Sequence, residues 1–111
     1  MGHLCRAQGI ESLFVVQPIP DRGKPLTSSE RAHLDAQRDI VAIRAAGYAR
    51  VLDHAAELSA GGCPAVSFES VFSGCAQSVY TDMVHFEDRG SAIVADRLAE
   101  LIARSWTGFA G

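Results

Sequence analysis

The sequence predicts an α/β domain with parallel strands, and three observations carry that expectation. Two short apolar runs, Ser12-Leu13-Phe14-Val15-Val16-Gln17 and Ala65-Val66-Ser67-Phe68, read as buried strands. The long stretch between them has apolar residues at helical spacing. A second amphipathic run, Ser91 to Arg104, follows the later strand. Strand, helix, strand, helix implies a parallel pair joined by a crossover helix, a connection that is almost always right-handed. In such sheets ligands collect at the carboxyl ends of the strands.

Taken in order, His3 to Gly9 read as the closing turns of a helix, with Gly9 where a left-handed C-cap sits, so the chain enters in mid-element. Pro18 and Pro20 end the first strand, because proline has no N–H for a ladder, and Asp21-Arg22-Gly23-Lys24-Pro25 forms a loop. Thr27-Ser28-Ser29-Glu30 is a capping box that opens the long helix. Its apolar face is expected to be Leu34, Val41, Ala45, Tyr48, Leu52, Ala55 and Leu58. Gly47 costs about 1 kcal/mol relative to alanine and is the expected point of a bend or break, while Gly61-Gly62 stops the helix. After the second strand, Val71-Phe72 begins a loop that runs through Gly74 and Cys75 to Tyr80.

Composition bounds the function. With 111 residues, 48% of them apolar and 21% charged, the chain is one globular domain at most. Ten basic residues are scattered among thirteen acidic ones, so the basic stripe of a nucleic-acid binder is missing. No apolar run approaches the roughly 18 residues that span a bilayer, and Met-Gly-His-Leu-Cys-Arg has no signal-peptide core; the compartment is left open. Cys5, Cys63 and Cys75 lack paired spacing and are expected to be free thiols, buried or partly so. His33 and His54 lie off the apolar stripe without a ligand set around them, and no cofactor is implied.

The chemistry concentrates at Asp82 and His85, just before the last helix. In acyl transfer an imidazole takes a proton from a nucleophile, and a carboxylate on its other nitrogen fixes the tautomer and stabilises the imidazolium. An acid three positions before a histidine can supply that pair. A structural reading also stands, in which Asp82 caps or bridges near the helix start with a surface histidine beside it.

The wider pattern, Asp82-x-x-His85-Phe86-x-Asp88-x-Gly90 followed by the helix Ile93-Val94-Ala95-x-x-Leu98-Ala99-x-Leu101-Ile102, resembles the last conserved block of the SGNH (GDSL-type) hydrolases. Glu87 stands where that family often has threonine, and Ser91 where it has asparagine. The resemblance implies a three-layer α/β/α, flavodoxin-like fold with parallel strands, of which residues 1–111 form the C-terminal part as a single partial domain. It implies a Ser-His-Asp esterase acting on a small-molecule ester, with His85 as the base, Asp82 orienting it, and Gln17 lining the site. For Gln17 the plainer alternative is that it satisfies backbone groups at a strand end.

The family's Gly-Asp-Ser block, its glycine block and its Gly-x-Asn-Asp block are absent, and the chain has no asparagine. The nucleophile and oxyanion donors are therefore expected from the upstream part of its own domain. Alternatively the chain is a non-catalytic SGNH-like interaction module that self-associates through its strand edges. Turnover by this chain alone would require a nucleophile among Ser12, Ser67, Ser70, Ser73 or Ser78. Metal binding by Asp82, His85 and Asp88 is a third reading, with no motif behind it. Whether the ester is a lipid, an acetylated carbohydrate or a thioester is left open by these residues.

Overall fold

The computed structural model describes residues 8–9 and 12–105. The expectations for the stretch from His3 and for Cys5 lie outside the described residues, though Gly9 does take a left-handed φ of 70°. The element order is β1 (Phe14–Val16), α1 (Ser28–Ala36), α2 (Arg38–Ala60), β2 (Ala65–Ser67) and α3 (Asp88–Ser105). The strands pair in parallel, with Val15 opposite Val66, as the helical crossover requires. The described chain is thus α/β with a two-stranded parallel sheet, and α2 packs against both strands.

Each helix boundary has a local cause. Thr27 is the N-cap of α1 and completes the predicted capping box: its hydroxyl accepts from the Glu30 N–H at 3.2 Å, and Glu30 Oε1 accepts from the Thr27 N–H at 3.1 Å. The break expected at Gly47 falls instead at Gln37, whose φ of −136° leaves the helical region and whose N–H turns back to Leu34 O. Helix α2 runs unbroken through Gly47 because its neighbour Tyr48 is buried and anchored, its hydroxyl donating to Gln17 O at 2.7 Å. That anchor outweighs the propensity cost of one glycine. Gly61 and Gly62 end α2, the second with a φ of 85° that a side chain would resist.

The predicted apolar face of α2 is half-buried at Val41, Leu52, Ala55 and Leu58, whereas Ala45 is exposed and Arg44 takes its place facing inward. The core itself lies elsewhere. Phe72, Val79 and Tyr80 are the buried centre, with Val71, Cys75, Phe86, Ile93 and Val94 packed around them. Phe72 meets Tyr80 and Phe86 edge-on, with ring centroids 5.5 and 5.6 Å apart, the arrangement that aromatic quadrupoles favour. The stretch from Val71 to Tyr80 is a loop, as its sequence indicates, and it supplies this buried centre. Cys63 is buried and Cys75 half-buried, both free.

Candidate active site

Two aromatic residues close the loop that holds Asp82 and His85. Tyr80 and Phe86 form an isolated antiparallel bridge, flanked by Thr81 N–H on His85 O and Glu87 N–H on Val79 O, each at 2.9 Å. Because both rings pack in the core, the ends of the loop from Thr81 to His85 are fixed; within it Met83 is buried, while Val84 and His85 are exposed. Gly90 allows this closure: a Cβ there would lie 2.7 Å from Val79 O and 3.1 Å from the Phe86 Cβ. Helix α3 begins two residues earlier, at Asp88, so two acidic residues, Glu87 and Asp88, stand at its positive end.

Inside this loop Asp82 and His85 meet. His85 Nδ1 lies 2.8 Å from Asp82 Oδ2, and the other carboxylate oxygen accepts from the Val84 and His85 N–H groups, both at 2.8 Å. The His85 amide, the Val84 amide and then the imidazole hold the Asp82 carboxyl well below the usual carboxylate range. An ionised Asp82 can only accept, so Nδ1 of the neutral ring must carry the proton and Nε2 must carry the lone pair. The imidazole side chain is 74% exposed, which leaves Nε2 open to solvent or to a reactant. This geometry suits a general base whose tautomer is set from behind.

Three further side chains that the sequence did not single out for the site hold the loop in place. Arg44, from α2, donates to Met83 O at 2.7 Å and pairs with Asp21 through Nε at 3.2 Å and through Nη2. Thr81 adds a hydroxyl bond to His85 O at 3.3 Å. Glu30 fixes the start of the loop, as its Oε2 accepts from Val79 N–H and Tyr80 N–H at 3.0 and 3.2 Å. Gln17 donates from Nε2 to Val84 O at 3.2 Å. The Asp82–His85 peptides are thus held by their N–H groups from Asp82 and by their carbonyls from Arg44 and Gln17. Gln17 also borders an apolar groove of about 460 Å³ beside β1, lined among others by Val15, Arg44, Val51, His54 and Val84. Neither Asp82 nor His85 lines that groove.

No serine hydroxyl of the described residues is bonded to the His85 ring. Ser78 shares a 2.7 Å bond with Thr27, Ser67 accepts from Glu69 N–H at 3.0 Å, and Ser59 donates to Ala65 O at 2.8 Å. Among the described residues no three His, Cys, Asp or Glu side chains gather closely enough to hold a metal ion, and no helix is long and apolar enough to cross a membrane. Comparisons with known protein families, with curated proteins and with solved structures return no match for this chain.

The dyad makes a specific prediction. In Asp82→Asn the amide keeps one oxygen for the Val84 and His85 N–H groups, but it can present its own N–H toward Nδ1 and so move the ring proton to Nε2. The base would then be in the wrong tautomer. Where the pair serves as a catalytic base, the expected outcome is a fall in kcat of roughly tenfold or more with the circular dichroism melt unchanged. A mutant that is merely unfolded would assign Asp82 to stability instead.

Proposed function

We propose that Asp82 and His85 are the base half of a Ser-His-Asp ester hydrolase of the SGNH type, and that the serine comes from polypeptide outside the described residues. The observation that carries this reading is the 2.8 Å contact between His85 Nδ1 and Asp82 Oδ2, which leaves Nε2 free and outward. The serine hydroxyl would give its proton to Nε2 as it attacks the ester carbonyl, and the same proton would then go to the departing alcohol oxygen. The parallel α/β arrangement, with Gln17 at the carboxyl end of β1 reaching the Asp82–His85 loop, agrees with a site at that end of a larger sheet. On this reading the fold is the C-terminal part of a three-layer α/β/α domain.

The alternative is a non-catalytic SGNH-like interaction module, and the exposed edge and groove beside β1 favour it. One experiment separates the two. The 111-residue chain and the polypeptide expressed with its flanking coding sequence are each treated with a fluorophosphonate and with an activated aryl ester. The hydrolase reading expects the longer polypeptide to be labelled on serine and to turn over ester. It expects the shorter chain to do no better than imidazole in solution. Absence of label and turnover in both leaves the interaction module.

A further inference from the structure

The contact between His85 Nδ1 and Asp82 Oδ2 is open to water, with the two side chains 74% and 50% exposed. A lone carboxylate–imidazole contact in that setting holds a ring only weakly, because water competes for both partners. What keeps Oδ2 on Nδ1 must therefore act through the other oxygen, which accepts from the Val84 and His85 N–H groups. Those N–H groups belong to the Met83–Val84 and Val84–His85 peptide units. The carbonyl of the first accepts from Arg44 Nη1 at 2.7 Å, and that of the second from Gln17 Nε2 at 3.2 Å. Each peptide thus lies between the Asp82 carboxylate on its N–H side and a side-chain donor on its C=O side.

The two donors are unequal. Gln17 offers a neutral amide from an exposed position, whereas Arg44 offers a shorter, charge-assisted bond of a kind roughly twice as strong as a neutral one. Arg44 is also anchored from behind, since Asp21 accepts from Nε at 3.2 Å and pairs with Nη2. The Arg44 and Asp21 side chains are only 18% and 7% exposed, and Met83 is buried, so this end of the network is shielded from water. A cation on a carbonyl oxygen polarises the peptide and makes its N–H a better donor to an anion on the far side. Charge therefore alternates from the interior outward: the Asp21 carboxylate, the Arg44 guanidinium, the Met83–Val84 peptide dipole and the Asp82 carboxylate. One turn further along α2, Tyr48 donates to Gln17 O at 2.7 Å, so the same helix face fixes the strand end from which Gln17 reaches the loop.

We propose that Arg44, held by Asp21, is a positioning residue for the Asp82–His85 pair, acting through the Met83–Val84 peptide to keep Asp82 turned onto Nδ1 and the lone pair on Nε2. Its consequence for turnover rests on the reading of His85 as a base, whereas its consequence for the imidazole does not. Arg44 bonds neither Asp82 nor His85, and it acts only through the backbone between them. Removing it frees the Met83 carbonyl to rotate toward water, which carries the Val84 N–H away from Asp82. Nothing then selects Nδ1–H over Nε2–H, because the tautomer of a neutral ring is set by the bond its other nitrogen makes.

Nitrogen-15 NMR of the 111-residue chain at about pH 8, where an ordinary imidazole is neutral, reads the tautomer on the ring itself, with the His85 signals assigned by their loss in His85→Ala. Wild type is expected to carry the proton on Nδ1. The double variant Asp21→Asn with Arg44→Met removes both charges, so that neither is left alone in a shielded place. In it the ratio of Nδ1–H to Nε2–H forms should fall at least about fivefold while the far-ultraviolet circular dichroism is retained. Arg44→Lys keeps the charge, but one ammonium cannot reproduce the fork that spans Asp21 and Met83 O, so the ratio should fall there too, which keeps the test open if the double variant does not fold. In the polypeptide expressed with its flanking coding sequence the same variants should lower kcat with KM little changed. A role confined to stability would move the melt and leave the ring of the folded variants as in wild type. Two results would overturn the proposal: a wild-type ring protonated on Nε2, or folded variants whose ratio equals that of wild type. A shifted ratio in a polypeptide that turns over no ester would uphold the positioning of the pair and remove the hydrolase reading, so the two failures are told apart.

Discussion

Glu30→Ala is expected to lower the free energy of unfolding by about 3–5 kcal/mol, the cost of leaving one member of a buried ion pair alone. Glu30 is fully buried and Lys24 nearly so, with Nζ 2.5 Å from Oε1. The same carboxylate accepts from the amides of Thr27, Val79 and Tyr80, so it ties the start of α1 to the root of the Asp82–His85 loop. Alanine would strand a buried ammonium and leave the Val79 and Tyr80 amides without an acceptor. Against a total of about 5–15 kcal/mol for a typical domain, such a loss is large enough to read directly as a lower urea midpoint. The paired change Lys24→Met with Glu30→Gln removes both charges and keeps an amide acceptor, so it should cost less than Glu30→Ala alone. A double variant as unstable as Glu30→Ala would show that the charge pair is not the source of the effect.

The same group gives the pH dependence its sign. Burial alone would raise the Glu30 carboxyl, but the Lys24 ammonium and the Val79 and Thr27 amides outweigh it and hold the folded value below the ordinary 4.5. A depressed folded value means the stabilisation is complete above the unfolded value and is lost as pH falls through the folded one. Stability should therefore decline in acid below about pH 4.5, and Glu30→Gln should flatten that decline. Asp82, also depressed, acts in the same direction, so the comparison with Glu30→Gln isolates the buried pair.

Much of this arrangement was legible in the chain because its causes are local. Thr27 and Glu30 announce the helix start, Gly61-Gly62 announces its end, and the apolar runs around Val15 and Val66 give two strands whose helical crossover makes them parallel. Asp82 and His85 also meet as their spacing suggested, since three residues of tight turn suffice to bring them together. What was not legible depends on distant partners. Nothing in the sequence marks Arg44 for the interior, yet it points inward because Asp21 and Met83 O, 23 and 39 positions away, receive it. The sequence marks Glu30 as a capping residue only, and its second task rests on amides 49 and 50 positions further on. The break at Gln37 in place of Gly47 has the same origin: Tyr48 is anchored to Gln17 across the sheet, an interaction that helix propensity does not include. The stretch from Val71 to Tyr80 is a loop, as its sequence indicates, but its place at the centre of the core is not legible because packing among Phe72, Tyr80 and Phe86 follows no helix or strand period.

In the polypeptide expressed with its flanking coding sequence, His85→Ala should reduce kcat for ester hydrolysis at least about a hundredfold, the lower end of what a positioned general base contributes. Alanine removes Nε2, the only group of the dyad that faces outward as a base, and Asp82 cannot replace it because its oxygens are turned to the Val84 and His85 amides. On the proposed reading the imidazole acts in proton transfer, so the loss should appear in kcat with KM changed little. Protein stability should also be nearly unchanged, since the side chain is largely exposed. Steady-state hydrolysis of an activated aryl ester by the wild-type polypeptide and by His85→Ala, at matched folded concentration, tests the catalytic role of the pair most directly. A loss of about a hundredfold or more in kcat with an unshifted melt is the predicted result. Turnover by His85→Ala at the wild-type kcat would contradict it and return Asp82 and His85 to a purely structural turn.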